Sequence, residues 1–300
     1  MTDLFDNNRK FGFVTLCGAP NVGKSTLLNC LAQEKVSAVS FKPQTTRFNI
    51  LKIQEYDETQ IAYIDTPGIF KPFNAFGEIL RKNSIRALKN ADITVLLVDI
   101  SLTDMTKSLN LVDSIIKKNK SSQLFLVFNK IDIVANKDIV CRAFQFQQFE
   151  EIKDFFMISA IRGTGIDVLI HKIIEAAPLH EWMYPPHFGL DLTRWTAEIT
   201  MEKIFMHLDN EVPYQTYVET ISIQEDVDGM HIYQDVVVAK ASQKPIVIGK
   251  NGALLKTIGT NSRLDIAKIL GRRVHLYLLV KVKEKWLDNQ HFLNRTFTSA

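Results

Sequence analysis

An apolar run, Phe11–Cys17, breaks off into Gly18-Ala19-Pro20-Asn21-Val22-Gly23-Lys24-Ser25, and a helical pattern, Lys24–Ala32, starts inside that stretch. Strand, glycine-bracketed loop and helix in this order leave few folds open. Gly-x-x-x-x-Gly-Lys-Ser belongs where a buried strand hands over to a helix. Its glycines let backbone N–H groups close around phosphate oxygens, and the helix N-terminus adds a positive end. Lys24 is placed to neutralise phosphate charge, and the Ser25 hydroxyl to meet Mg²⁺. At average composition such a match arises by chance in ~1% of chains this long. The candidate phosphate site is Gly18, Pro20, Asn21, Val22, Gly23, Lys24, Ser25 and Thr26.

The rest of the first half alternates strand and helix patterns. Strands are expected at Phe48–Gln54, Ile61–Asp65, Ile93–Asp99, Leu124–Asn129 and Phe155–Ser159; helices at Glu78–Lys89, Asp104–Lys118 and Ile166–Ala177. Such alternation predicts an α/β domain whose mostly parallel sheet is covered on both faces. Ligands of open α/β sheets sit at the carboxyl ends of the strands. Three strand ends carry matching groups. Asp65-Thr66-Pro67-Gly68 offers a carboxylate to Mg²⁺, through water, and a glycine N–H to a γ-phosphate. Asn129-Lys130-Ile131-Asp132 decides the base: the Asp132 carboxylate accepts two N–H bonds from the guanine edge, and adenine lacks that donor pair. At Ser159-Ala160 a backbone N–H can meet the guanine O6. Together these residues resemble the GTPase domain of the Ras-like and translation-factor class, which implies GTP or GDP with Mg²⁺.

Between the first two elements lies Lys42-Pro43-Gln44-Thr45-Thr46-Arg47. A threonine here can place its hydroxyl on Mg²⁺ and its N–H on the γ-phosphate only while GTP is bound, which makes an order–disorder switch. Thr46, next to the strand, is preferred over Thr45. The stretch Ile69–Gly77, with Phe70, Phe73 and Phe76, is expected to be the second switch, its phenylalanines either exposed or core. Many GTPases place a glutamine after Asp-x-x-Gly to orient water. This chain has Ile69, so intrinsic turnover is expected to be slow, with help from a partner or a cation. Asn21 points to potassium, as in related GTPases with Asn at this loop position. Catalytic candidates are therefore Lys24, Asn21, Thr46 and Gly68, and metal candidates Ser25, Thr46 and Asp65.

Pro178, Pro185 and Pro186 interrupt the pattern, with Trp182 and Tyr184 between them. The expected division is a GTPase domain over 1–177, a linker over 178–190 and a second domain over 191–300. The second part reads as α+β: a helix at Thr193–Leu208, strands at Gln215–Ile223 and His231–Ala239 around an Asp226–Gly229 turn, a short helix, a glycine turn, a long helix and a strand at Val274–Val282. The turn is Gly249-Lys250-Asn251-Gly252, preceded by Ile248. Leu254, Leu255, Ile258, Ile266, Ile269 and Leu270 follow on one helical side. A bare Gly-x-x-Gly is a weak signal. Helix–strand–strand–helix–GxxG–helix–strand is the type II KH order, in which the loop clamps single-stranded nucleotides.

Charge supports the division. Residues 1–180 carry 22 Lys/Arg and 19 Asp/Glu, a net of +3; residues 181–239 carry 2 and 11, a net of −9; residues 240–300 carry 12 and 3, a net of +9. A basic block of this kind suits nucleic acid or an anionic surface. The candidate RNA residues are Ile248, Gly249, Lys250, Asn251, Gly252, Lys256, Arg263, Lys281 and Lys283. Three widely spaced cysteines (Cys17, Cys30, Cys141) fit neither a disulfide framework nor a zinc site and suggest a reducing compartment. Met1–Lys10 lacks the basic-then-apolar order of a secretory signal, and no apolar run reaches the ~18 residues a membrane span needs.

Over about residues 10–290 the chain resembles the Era family, bacterial GTPases with a C-terminal KH domain. The likeness rests on Ala19–Thr26, the Lys42–Arg47 segment, Asp65-Thr66-Pro67-Gly68-Ile69, Ile248–Gly259 and Val274–Lys283. Departures are Ala19 and Asn251, where the family often has basic residues, and an arginine-poor helix at Thr193–Leu208. The resemblance implies a monomeric cytoplasmic protein that binds the 3′ end of small-subunit rRNA, assists 30S maturation and touches the inner membrane peripherally, with no DNA partner. The alternative is a membrane-associated regulatory GTPase whose basic C-terminal domain meets anionic lipid.

Overall fold

The computed structural model describes residues 9–39, 42, 46–69, 72–119, 122–189 and 191–297. Thr45, Phe70 and Lys71, which belong to the two expected switch stretches, lie outside the described residues. The chain divides into two units, one of residues 1–33, 48–70 and 81–189, the other of 34–47, 71–80 and 190–300.

In chain order the first part contains β1 (Lys10–Gly18), α1 (Lys24–Ala32), β2 (Ile50–Tyr56), β3 (Thr59–Asp65), α2 (Ala75–Lys89), β4 (Ile93–Asp99), α3 (Thr106–Ile116), β5 (Gln123–Asn129), α4 (Asn136–Phe144), β6 (Ile152–Met157) and α5 (Ile166–Ala176). The sheet runs β2-β3-β1-β4-β5-β6. Only β2 is antiparallel, returning on β3 through a turn at Asp57, whose φ of 48° is left-handed. The other pairs are parallel. All seven residues of β4 are buried, as a strand with neighbours on both edges and helices on both faces requires. Leu96, Val98, Phe128 and Phe146 meet in the main core cluster. Each such side chain contributes on the order of 1.5–3 kcal/mol by leaving water. Cys17 is a core filler: burial pushes its thiol up to about 12, which keeps it protonated and inert.

Chain order turns around β1, because β3 lies on one side and β4 on the other. The register sets Leu16 beside Asp65, Gly18 beside Leu97, and Asp99 beside Asn129. The carboxyl ends of β1, β3 and β5 therefore open on one edge, and this edge carries the nucleotide motifs.

The proline-rich stretch is a strap on the first unit. Phe11 N donates to Pro178 O (3.2 Å), His180 N to Arg9 O (3.1 Å), and Gln60 makes two hydrogen bonds to the Tyr184 backbone, at 3.0 and 3.1 Å. The Tyr184 ring lies 6.1 Å from Phe11.

The second unit contains α6 (Leu192–His207), β7 (Thr216–Asp226), β8 (Gly229–Val238), α7 (Gln243–Ile248), α8 (Ala253–Leu270), β9 (Val274–Val282) and α9 (Gln290–Phe297). β7 and β8 are antiparallel and β8 and β9 parallel, in the order β7-β8-β9. This is the type II KH arrangement. Asp191 caps α6 by accepting from the N–H groups of Thr193 and Arg194. Every residue from Trp195 to Phe205 is buried, which accounts for the scarcity of arginine there. Thr200 in this buried run is satisfied internally: its Oγ1 donates to Gln234 Oε1 (2.6 Å), and Gln234 Nε2 donates to Thr220 Oγ1 (3.1 Å).

The segments 34–47 and 71–80 complete this unit. Lys35 pairs with Glu202 (2.8 Å) and Asp265 (3.1 Å). The buried Arg47 donates to the Pro213 carbonyl (2.7 Å) and to that of Thr216, between the rings of Phe76 and Phe205. Phe76 is core, against Trp286 and Phe297, while Phe73 is 90% exposed.

Trp286 is fully buried between Phe76 and Tyr217, and its Nε1 donates to Gln215 O (3.1 Å). Trp286→Ala removes the largest side chain of this cluster and is expected to cost about 3–5 kcal/mol, seen as a lower urea midpoint, with Trp286→Phe recovering much of it.

Candidate functional site

The phosphate loop is shaped by close approaches that only glycine allows. Gly18 has φ 147°, and a Cβ there would fall 2.6 Å from Leu97 O. Gly23 has φ 100°, and its Cβ would fall 2.3 Å from Asn129 Nδ2. Asn21 between them is left-handed, with φ 62°. α1 starts with no side-chain cap, so its first-turn N–H groups are the ones a phosphate would meet. Lys24 is 6% exposed, and its Nζ donates to Ala19 O at 2.9 Å. Burial pulls the Lys24 ammonium below its ordinary value, and Asp65 opposes that shift. An anion in the loop would act in the same sense as Asp65.

Ser25 Oγ donates to Asp65 Oδ2 at 2.6 Å. Two of the three metal candidates, Ser25 in the first turn of α1 and Asp65 at the end of β3, thus converge on one point. Both are hard oxygen donors of the kind Mg²⁺ takes. Thr66 Oγ1 donates to Leu16 O (2.9 Å), tying the two strand ends together. Gly68 packs against the loop: a Cβ there would lie 2.8 Å from Pro20 N. Ile69 N donates to Gly18 O (2.9 Å), and the Ile69 side chain packs against the main core cluster.

At the end of β5 the Asn129 carboxamide joins three loops. Its Nδ2 donates to Val22 O (2.8 Å), and its Oδ1 accepts from Ala160 N (2.9 Å). Of the two backbone N–H groups at Ser159-Ala160, where one is expected to meet guanine O6, Ala160 N donates to Asn129 and Ser159 N to Thr164 O (3.0 Å). Lys130, at φ 70°, reaches Asp99 at 2.6 Å. The Asp132 carboxylate is 11% exposed, accepts from Ser159 Oγ at 2.6 Å and lies 3.8 Å from Arg162. A carboxylate held this way is preorganised to accept from a planar pair of N–H donors. Thr46 is buried and belongs to the second unit with the segment 34–47.

In the second unit, α7 and α8 are joined by Gly249–Gly252. Gly249 has φ 73°, and a Cβ there would fall 2.6 Å from Leu254 Cβ. Asn251 is also left-handed, at φ 53°, with its side chain exposed beside that of Lys250. A groove of about 360 Å³ runs from this turn along α8, lined by Gly252, Lys256, Gly259 and Arg263 on one side and Leu276 and Leu278 of β9 on the other. Of the predicted residues, Gly252, Lys256 and Arg263 line it. Ile248 packs into the core. Lys281 pairs with Asp235 at 2.6 Å, and Lys283 stands 3.2 Å from the centre of the Phe292 ring, so neither lines this groove. Gly259, Leu276 and Leu278 escaped the sequence reading. The 252/256/259/263 spacing was the available signal, since it marks one helical face. Gly259 matters because its Cβ would press on Leu278 Cδ1 at 3.3 Å and narrow the groove.

Residues 13–130 match the 50S ribosome-binding GTPase family, and residues 211–287 the KH domain. GTPase Era of Mesorhizobium japonicum is 38% identical over 283 residues, covering 93% of this chain and 90% of that protein. GTPase Era of Clostridium botulinum is 38% identical over 287 residues, covering 95% and 96%. Among solved structures, an Aquifex aeolicus Era variant bound to GDP·AlF₄⁻ superposes with a TM-score of 0.89 at 33% identity, covering 96% of this chain and 98% of the other. A structure of Era with MgGDPNP and nucleotides 1506–1542 of 16S ribosomal RNA also gives 0.89 at 33% identity, covering 97% and 99%. With likeness over nearly the whole length of each relative, a nucleotide cradle at the strand ends and a type II KH unit, the chain belongs to the Era family of GTPases.

Proposed function

We propose that this GTPase binds the 3′ end of small-subunit rRNA in the groove of its KH unit and assists 30S maturation under the control of GTP. The observation that carries this reading is the groove from Gly252 to Arg263, in a chain that aligns end to end with an Era structure holding 16S rRNA. A glycine-lined floor brings the RNA backbone close, Lys256 and Arg263 meet phosphates, and Leu276 and Leu278 offer apolar contact to bases. Lys250 and Asn251 flank the strand at the turn.

In the nucleotide cradle, Lys24 and the loop N–H groups hold phosphate oxygens, while Asp132 reads the guanine edge. Ser25 and Asp65 hold Mg²⁺, which when bound neutralises charge on the phosphates. Ile69 has no group to orient water and is committed to the core, so intrinsic turnover is slow. Asn21, on the loop, is the residue that supports a potassium site. The switch reading draws on the two expected switch stretches, since Thr46 and Arg47 of the first and residues 72–77 of the second belong to the KH unit. Anionic lipid is the weaker reading, because a lipid headgroup has no use for a glycine-floored groove. Among the described residues no helix is long and apolar enough to cross a membrane.

Three measurements test these roles. Asp132→Asn leaves one acceptor for guanine and adds a donor that suits the 2-oxo group of xanthine. GTP affinity is expected to fall about 10²-fold or more while XTP gains, in a fluorescent-nucleotide displacement assay. In matched buffers K⁺ should raise kcat for GTP over Na⁺ by about tenfold or more, with the effect lost in Asn21→Ala; equal rates would reject the cation site. Lys250→Asp with Asn251→Asp places two negative charges at the turn and should weaken binding of an rRNA 3′-end oligonucleotide by about 10²-fold, while GTP hydrolysis without RNA stays as in the parent.

A further inference from the structure

Strand order in the first sheet fixes what lies between the two ends of a nucleotide. The phosphate loop follows β1, Asp132 follows β5 and Ala160 follows β6, while β4 stands between β1 and β5. A nucleoside phosphate that reaches from the loop to Asp132 must pass over the carboxyl end of β4. That end is Asp99, set beside Asn129 in the β4–β5 register. The backbone just beyond it is fixed on both sides: Ile100 N donates to Asn129 O (3.1 Å), and Arg142 Nη1 donates to Ile100 O (2.8 Å).

The Asp99 side chain is 11% exposed, and both of its oxygens are engaged. Oδ1 accepts from Ser101 N (3.0 Å) and Ser101 Oγ (2.5 Å). Oδ2 accepts from Lys130 Nζ at 2.6 Å. Lys130 has a left-handed φ of 70°, which turns the chain out of β5 into the short turn Ile131–Ile133. A lysine adopts that conformation at a cost and keeps it where its surroundings demand it. With its Cα fixed after β5 and its Nζ fixed at β4, the methylene stem of Lys130 is drawn along the sheet edge from one strand end to the next. The side chain is 33% exposed, which leaves the stem open for a ring to cover. A free lysine samples many rotamers. Here the ion pair removes that freedom before a ligand arrives and presents an apolar strip on which a flat purine can lie.

We propose that Asp99 is a positioning residue for nucleotide binding: it holds Lys130 across the base site so that the lysine stem meets the face of the guanine ring. This rests on the reading of Asp132 as the guanine-edge acceptor. The two residues divide the task. Asp132 senses the groups on the edge of the base, whereas a methylene stem against the ring face senses none of them. Asp99 therefore sets how long a nucleotide stays, not which base it carries.

The test is stopped-flow release of a ribose-labelled fluorescent GDP from the full-length protein, with GTP and ITP as competitors. Asp99→Asn frees Lys130 to solvent and should speed release about fivefold or more, weakening GDP, GTP and ITP by like factors. Ser101→Ala removes one bond to Oδ1 and should act in the same direction by a smaller factor. Lys130→Ala should also speed release, and adding Asp99→Asn to it should change the rate by less than about twofold, because Asp99 acts through the lysine. An equal factor for Asp99→Asn in both backgrounds is the mark of a structural role and overturns the proposal. So does release from Asp99→Asn at the parent rate, or a loss confined to GDP and GTP with ITP spared. The Ser101→Ala and Lys130→Ala cycle repeats the comparison without touching the carboxylate, so the result stays readable even where Asp99→Asn folds poorly. Asp132→Asn tests the underlying reading separately: a parent-like preference for GTP over XTP there rejects the guanine-edge role, whatever Asp99 does.

Discussion

The Asn129 carboxamide is the joint on which the nucleotide cradle depends. Its amide nitrogen donates to the phosphate loop at Val22, and its oxygen accepts from Ala160 after β6. One side chain at the end of β5 thereby sets the spacing between the phosphate-binding loop and the base-binding loops. Gly23 follows from this joint. Any Cβ at that position would lie 2.3 Å from Asn129 Nδ2, so the glycine serves the joint as well as the phosphate. Ser159, buried beside it, holds Asp132 at 2.6 Å. The parallel register of β1, β3, β4 and β5 brings these groups to one edge, and the local hydrogen bonds then tune them within it.

The second unit depends on a different constraint, a buried cation. Arg47 is 2% exposed, donates to the Pro213 and Thr216 carbonyls and lies over Phe76 and Phe205. Burial lowers its guanidinium to about 10, with Glu198 acting in the opposite sense. Arginine tolerates this site because its charge is delocalised and its planar fork meets carbonyls and aromatic faces together. Its residue number places it directly after Thr46, in the stretch whose sequence reads as nucleotide-responsive. Chain connectivity thus joins a group suited to sense a γ-phosphate to one sunk in the KH unit.

The parts most legible in the sequence are those whose residues are buried on all sides or bound by backbone geometry. β4 and β9 have the bounds their apolar runs predict, and α1 starts at Lys24 because the glycine loop ends there. α4 carries no readable stripe: among its nine residues only Ile139 is buried. α9 is eight residues long with Leu293 and Phe297 inside, too little periodicity to stand out from a polar tail. Of the charged residues expected in the RNA site, Lys256 and Arg263 line the groove and Lys281 and Lys283 do not, for a related reason. Lysine count along β9 is visible in the sequence, but the face on which Lys281 lies is decided by strand alternation, which sets it opposite Val237 and within 2.6 Å of Asp235 on the neighbouring strand. The groove's own walls, Gly259, Leu276 and Leu278, are small or apolar and carry no functional label until the helix is set against the strand.

The same alternation gives meaning to a charge balance that cancels in the chain. Residues 181–239 are net −9 and residues 240–300 net +9. Helix α8 carries Lys256 and Arg263 to the groove, whereas Glu219 of β7 and Asp235 of β8, opposite one another, point to the outer sheet face, where Asp235 pairs with Lys281. A three-stranded sheet with helices on one side separates the two sets, since side chains of neighbouring residues in a strand must leave on opposite faces. A polyanion meeting this unit is drawn to the groove by Lys256 and Arg263, which stand on one face of α8.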